Sequence, residues 1–397
     1  MLNNVALDVV IGLVFVYLLY SLLATVLSEI MATWLGLRAR NLKEAIDRML
    51  NDEDEQKKNF WKRLWDSLRL MKSPQSTMVT NFYNNPEIKY LGSTGIFRVP
   101  SSFKAASFSK TLLYQLSGEG QTNKIRIEEK LKRLMDGDKT LATDDIILDK
   151  EAAKYVLSLW HDSYGDLVKF KLQLEGWFDR TMEQATEWYK RKIQIVLLVL
   201  GFCLAWFFNA DTFTIISKLA NDKDARGQMV QMASAYVKNN PTPPAAAIKD
   251  SSMQPYNQKL DSLLEVKKKL DEDIANANTI LGVGGWLPDS TSVIFDKKKK
   301  VNIYTPQVDE VSLPKKFKGK TNTTLYFSKC NKWDYFFNML SHHFFGFLIT
   351  AIAISLGAPF WFDMLNKLMK LRTSNKENTN SAAANSSVTV SPLNREA

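Results

Sequence analysis

Three long apolar blocks interrupt an otherwise polar chain, and they set the first expectation. Val9–Ser28 carries no charge, and about 20 such residues cross a hydrocarbon core of roughly 30 Å as a helix. The second block is Ile193–Ala210 and the third Tyr335–Phe362, where Pro359 is expected to kink or end the helix because proline lacks the amide donor. Trp206, Trp333 and Trp361 sit near block ends, where amphipathic rings favour the headgroup region. The stretch before the first block, MLNNVALD, has no Lys or Arg, unlike the basic start of a cleaved signal peptide, so the block reads as a retained anchor. The pattern predicts a mainly α integral membrane protein with three transmembrane helices and mostly helical extramembrane regions.

Helical spacing recurs outside the blocks. Leu42, Ala45, Ile46, Met49 and Leu50 share one face, and Phe103–Leu116 reads as helix. Phe170, Leu174, Trp177, Phe178, Met182, Ala185, Trp188 and Tyr189 make an apolar stripe, with Glu187 and Arg191 as a supporting pair. That helix is expected to run on into the second block as a stalk. Asp211–Val237 predicts a helical pair, Asn239–Ala247 a proline-rich break, and Leu260–Leu281 an amphipathic helix on a heptad-like frame that Lys267 interrupts. Trp61 and Trp65, four apart, suggest ordinary packing. Asn81–Pro100, dense in Asn, Pro and Gly, reads as a turn-rich loop, Leu281–Pro288 as a turn, and the tail from Thr373 as disordered.

Charge orients the blocks. Arg38, Arg40, Lys43 and Arg48 follow the first, Lys190, Arg191 and Lys192 precede the second, and Lys367, Lys370 and Arg372 follow the third. Basic residues near span ends mark the cytoplasmic side. The expected organisation is a first span and its interfacial extension (1–36), a cytoplasmic helical domain (37–192) and a second span (193–210). An external, periplasmic helical and loop domain (211–334), a third span (335–362) and a cytoplasmic tail (363–397) complete it. Lys329 and Lys332 are the exception to the pattern. Arg38, Arg40 and Lys190–Lys192 are the expected lipid-headgroup contacts, at about 1 kcal/mol per basic residue near an anionic surface. These juxtamembrane residues account for the net charge of +10 better than nucleic acid does, since no recognition helix or stacking module is visible.

Chemistry is sparse. Cys203 falls inside an apolar block and Cys330 in a polar segment, which argues against a disulfide, and neither they nor His161, His342 and His343 have metal-ligand spacing. No cofactor is expected. There is no G-x-S-x-G, H-E-x-x-H or Walker-type loop, so the chain does not read as an enzyme. Ionisable groups at span edges remain the candidate functional residues: Asp8, Glu29, Asp211, His342 and Asp363.

VALDVVIGLVFVYLLYSLLAT, NFYNNPEIKYLG with RVPSSF, GWFDRTMEQATEWYKRKIQ, FFNADT and ITAIAISLGAPFWFDMLNKL resemble a family of uncharacterised bacterial inner-membrane proteins. The resemblance implies an inner-membrane location and shared architecture, and brings neither activity nor site residues. The leading expectation is a multi-pass scaffold or anchor with protein partners or as a homo-oligomer. The alternatives are an oligomeric ion or proton conductor, with Tyr17, Tyr20, Ser21 and Thr25 as an uncharged pore face, or a membrane-acting effector.

Overall fold

The computed structural model describes residues 2–51, 76–92, 99–118, 124–136, 148–240, 256–282, 287–296, 301–306 and 308–386. Two compact units result: unit 1 is Met1–Glu29 with Val196–Ala397, and unit 2 is Ile30–Ile195. Most elements are helices: α1 (Leu2–Trp34), α2 (Leu37–Leu50), α3 (Thr77–Asn84), α4 (Pro86–Lys89), α5 (Ala105–Ser117), α6 (Lys124–Asp136) and α7 (Lys150–Asp162). Then come α8 (Leu167–Phe207), α9 (Thr212–Asn221), α10 (Lys223–Asn239), α11 (Tyr256–Leu281), α12 (Lys329–Ser355) and α13 (Ala358–Ser386). α1 and α12 are long and apolar enough to cross a membrane, and α8 with α9 makes a third candidate if that pair, bent by 53°, is one span.

Unit 2 is helical throughout its described part. Ile46, Phe82, Phe108, Leu131, Val156, Phe170 and Leu174 form one buried core, with ring contacts from Phe108 to Phe82 at 5.6 Å and to Phe178 at 5.1 Å. The predicted stripe on α8 is the face that enters this core. Farther along, Asn41 Nδ2 donates to the Ala185 carbonyl, Lys192 pairs with Glu44 at 2.6 Å, and the Arg48 guanidinium lies over the Trp188 ring. Glu187 pairs with Lys190 at 2.6 Å, one turn position earlier than the expected Arg191.

The turn-rich loop expected over Asn81–Pro100 is instead helical from Thr77 to Lys89, apart from Asn85. Its turn-type residues act as helix starters. The Ser76 hydroxyl caps α3 by accepting from Val79 N–H and donates to Asp47 Oδ1 at 2.7 Å, while the Asn85 side chain caps α4 with Pro86 in the first turn. Residues 93–98, Trp61 and Trp65 lie outside the described residues.

In unit 1, α8 stops where Asn209 takes φ 51, a left-handed conformation that asparagine tolerates better than most residues. The Ala210 N–H bonds back to the Ala205 carbonyl, closing the helix end, and Asp211 at once caps α9 through the Phe213 N–H. The expected helical pair is α9 and α10, and the expected amphipathic helix is α11, burying Leu263, Leu270, Ile274, Ala277 and Leu281.

Two expectations for unit 1 are corrected. The 211–334 region, expected to be helix and loop, also holds β1 (Ser290–Asp296), β2 (Val301–Thr305) and β3 (Thr323–Tyr326), which form an antiparallel sheet in the order β2-β1-β3. Val293, Tyr304 and Leu325 point into a core with Phe317, Phe327, Tyr335 and Phe347, while Ile294 and Ile303 pair on the open face. The third block is broken near Pro359, as expected, but into two separate helices, so 335–362 is not one span. Gly357 at φ 87 ends α12, and the Trp361 indole donates back to the Ala353 carbonyl. A straight helix would hold those two residues about 12 Å apart along its axis. Helix α13 then runs antiparallel to α1, with Trp361 on the Tyr17 ring at 4.8 Å and Arg372 donating to Asp8 at 2.9 Å. Arg372 therefore lies beside the start of α1, not at the opposite end of the apolar bundle where a straight third span would carry it. Helix α13 continues to Ser386, so the disordered tail expected from Thr373 is helical over its first part.

Candidate functional site

The polar side chains of unit 1 converge where the break between α8 and α9 meets α12. His343 projects from α12 with each ring nitrogen at a carboxylate: Nδ1 is 2.8 Å from Asp211 Oδ2, and Nε2 is 3.0 Å from Asp309 Oδ2. Both contacts are satisfied together only by the imidazolium, which carries two N–H donors. Asp211, 4 % exposed, comes from the α9 cap, and Asp309 from the loop after β2.

Each carboxylate is filled by further donors. Asp211 Oδ1 accepts the Phe213 N–H, and Oδ2 accepts the Thr214 hydroxyl at 2.7 Å. Asp309 Oδ1 accepts the Val311 N–H, and Oδ2 accepts both the N–H and the hydroxyl of Ser312. The Asp309 N–H donates to the Tyr335 hydroxyl. Burial pushes the Asp309 carboxyl up, but the hydrogen bonds from His343 and Ser312 outweigh it and hold the group below the usual carboxylate range.

The helix surface is shaped for this arrangement. A Cβ added at Gly346 would stand 1.5 Å from Asp211 Oδ1, so only glycine lets the carboxylate lie against α12. One turn on, the Thr350 hydroxyl satisfies the Ala210 carbonyl at 2.7 Å and accepts from Thr212. Thr212 in turn accepts from Tyr17 at 2.8 Å. These bonds give partners to the backbone groups that the break in α8–α9 leaves open.

Of the span-edge residues singled out in the sequence, the structure brings only Asp211 into this cluster. Asp8 pairs with Arg372, Glu29 is half-buried on α1, and Asp363 is exposed on α13. His342 is exposed, and its neighbour His343 is the one that enters the cluster. Periodicity could have chosen correctly, because Tyr335, Met339, His343, Gly346 and Thr350 follow one helical face. Asp309 carried no local signal. Arg38 and Lys190 are exposed, Arg40 is half-buried and Arg191 exposed, while Lys192 is engaged with Glu44. On the uncharged face of α1, Tyr17, Tyr20 and Ser21 are buried and Thr25 half-buried: Tyr20 donates to Asn278 and Ser21 to the Ile354 carbonyl.

Among the described residues no group of three or more His, Cys, Asp and Glu side chains is arranged to hold a metal ion. A shallow depression lined by Lys124, Glu128, Trp160, His161, Tyr164 and Gly165 belongs to unit 2. The arrangement around His343 is thus an electrostatic clamp, fastening the α9 cap and the β2 loop to α12. Comparisons with protein-family models, with curated proteins and with solved structures return no match, so the clamp geometry is what speaks for function.

Proposed function

We propose that the chain is a non-enzymatic multi-pass membrane scaffold, with unit 1 in a bacterial inner membrane and unit 2 as a helical platform for protein partners. The observation that carries this reading is the saturation of the clamp. Every ring nitrogen and carboxylate oxygen of His343, Asp211 and Asp309 is engaged with protein, as a rigid joint requires and as a group acting on substrate would not be. The length and exposed apolar face of α12 support the membrane placement. A second reading, a proton conductor, draws on the hydroxyl chain Tyr17–Thr212–Thr350 beside the clamp.

Proton flux into liposomes carrying the purified protein separates the two. The scaffold reading expects no flux above empty liposomes, from the original protein or from His343→Gln. It also expects the variant to unfold more easily in detergent, by about 3 kcal/mol, because removing the charged partner leaves the buried Asp211 carboxylate and the half-buried Asp309 carboxylate without their shared cation. A proton flux that His343→Gln abolishes would replace the scaffold reading with the conductor.

A further inference from the structure

The most apolar helix of the chain is almost wholly enclosed by protein. Between Ile11 and Val26, α1 is buried at nearly every position, with Leu18 and Ala24 at 0 % exposure. Its cover comes from several helices. Leu219 of α9 and Met229 of α10 close on Gly12, and Tyr236 of α10 packs on Phe15 at 5.7 Å. Asn278 of α11 bonds Tyr20, and Trp361 and Arg372 of α13 meet Tyr17 and Asp8.

The outer faces of these covers carry charged and polar groups, with a few exposed apolar residues such as Leu264 and Leu371 among them. Gln228, Gln231 and Lys238 are exposed on α10, Glu265, Lys268 and Lys269 on α11, and Asp363, Lys367 and Lys370 on α13. Such faces do not lie against acyl chains, where unpaired charge is strongly disfavoured.

The opposite character appears on α8 and α12. Val199 is 49 % exposed, Phe345 73 % and Ile352 50 %, with Leu198, Cys203 and Leu348 beside them in sequence periodicity. From Phe337 to Leu356 the exposed apolar positions of α12 extend over about 28 Å along the axis, close to the roughly 30 Å of a hydrocarbon core. Tyr335–Phe362 contains no Asp, Glu, Lys or Arg. At its start, Trp206 stacks on Phe336 at 4.2 Å and Trp333 on Phe337 at 6.2 Å, the aromatic rim suited to headgroup depth. Lys329 and Lys332 follow outward, a charge that complements anionic headgroups.

We infer that unit 1 meets lipid on one side only, through α8 and α12, and that the α10–α11–α13 side faces water, so that α1 touches no acyl chain between Ile11 and Val26. The inference rests on the membrane placement proposed above. It names fluid bilayer lipid as the occupant of the α8–α12 face, rather than a second copy or another protein.

The test uses the full-length chain in vesicles containing anionic phospholipid. Single cysteines at Leu348, Ile352, Gln231 and Lys268 are placed in a Cys203→Ser, Cys330→Ser background, and native Cys203 serves as a further probe in Cys330→Ser alone. Each cysteine carries an environment-sensitive fluorophore, read with nitroxide-bearing lipids and with aqueous iodide. Probes at Leu348, Ile352 and Cys203 should be quenched several-fold more by nitroxide lipid than by iodide, and probes at Gln231 and Lys268 the reverse. Nitroxide quenching at Gln231 and Lys268 would overturn the inference by showing lipid all round. Its absence at Leu348, Ile352 and Cys203 would overturn it by showing that water or protein covers that face. Flotation of the protein with the vesicles in a density gradient is read first. If the protein does not float, the membrane placement itself falls, and with it the inference.

Discussion

His343 holds two carboxylates on opposite sides of one ring, and its fastening depends on both staying ionised. Asp309 sits below the ordinary carboxylate value because of His343 and Ser312. A depressed folded value means that the carboxylate's contribution to stability is fully present above the unfolded value of about 3.9. It is lost as pH falls through the lower, folded value. Melting of the detergent-solubilised protein between pH 6 and 3 should therefore show an acid limb, and Asp309→Asn should flatten it while lowering the plateau. An unchanged acid limb in that variant would assign the fall to other carboxylates. Gly346 provides a second residue-scale test. Alanine there drives a methyl group into the Asp211 carboxylate, and overpacking of this kind costs about 1–3 kcal/mol. Gly346→Ala should melt measurably lower, whereas Gly227→Ala, with open space around its Cβ position, should not.

At the scale of elements, the chain breaks its apolar helices where single residues permit it. Asn209 adopts φ 51 between α8 and α9, a conformation that costs a β-branched residue about 1–2 kcal/mol. Asn209→Gly should leave the thermal melt of the solubilised protein nearly unchanged, and Asn209→Val should lower it by that amount. Equal melts would mean that the break is set by packing alone. Such breaks explain what was legible in the sequence and what was not. Runs with a clear 3.6-residue period, such as Phe170–Ala185 and Leu263–Leu281, could be read directly, since burial follows periodicity. Asn85 and Pro86 were read as turn residues because the same chemistry that stops a helix also starts one. The strands are short, and Ser290–Asp296 alternates buried Thr291 and Val293 with exposed Ser292 and Ile294, a period-2 signal too brief to stand out beside long helices. The clamp was half legible: Asp211 sits at a block edge, while Asp309 reaches His343 only through tertiary folding across 34 positions.

The whole molecule divides its polar and apolar duties between two units. Unit 2 builds a core from rings of Phe82, Phe108, Trp160 and Phe170, and unit 1 surrounds one apolar helix with amphipathic ones. If unit 1 is held by acyl contact along α8 and α12, electrostatic competitors should not detach it. The protein is expected in the membrane pellet after alkaline carbonate or high-salt washing, and its appearance in the supernatant would refute the membrane placement. The orientation expected from basic residues is tied to a single straight third span. With α13 lying back along α1, Asp8 and Arg372 belong at one end, so the N-terminal and α13 segments should show the same protection from an impermeant reagent.

The enclosure of α1 also imposes an order on biogenesis. This helix is made well before the groups that will shelter it: Thr212 and Leu219, then Tyr236 and Asn278, and finally Trp361 and Arg372. Through most of translation the nascent chain carries a naked apolar rod whose Tyr17, Tyr20 and Ser21 lack their final companions. If unit 1 is a membrane unit, lipid is the shelter at hand in that interval, and maturation then exchanges lipid for protein around α1. A chain interrupted before residue 358 would keep α1 in its nascent surroundings on the flank that α13 later closes, so the enclosure of α1 is complete only after α13 is made.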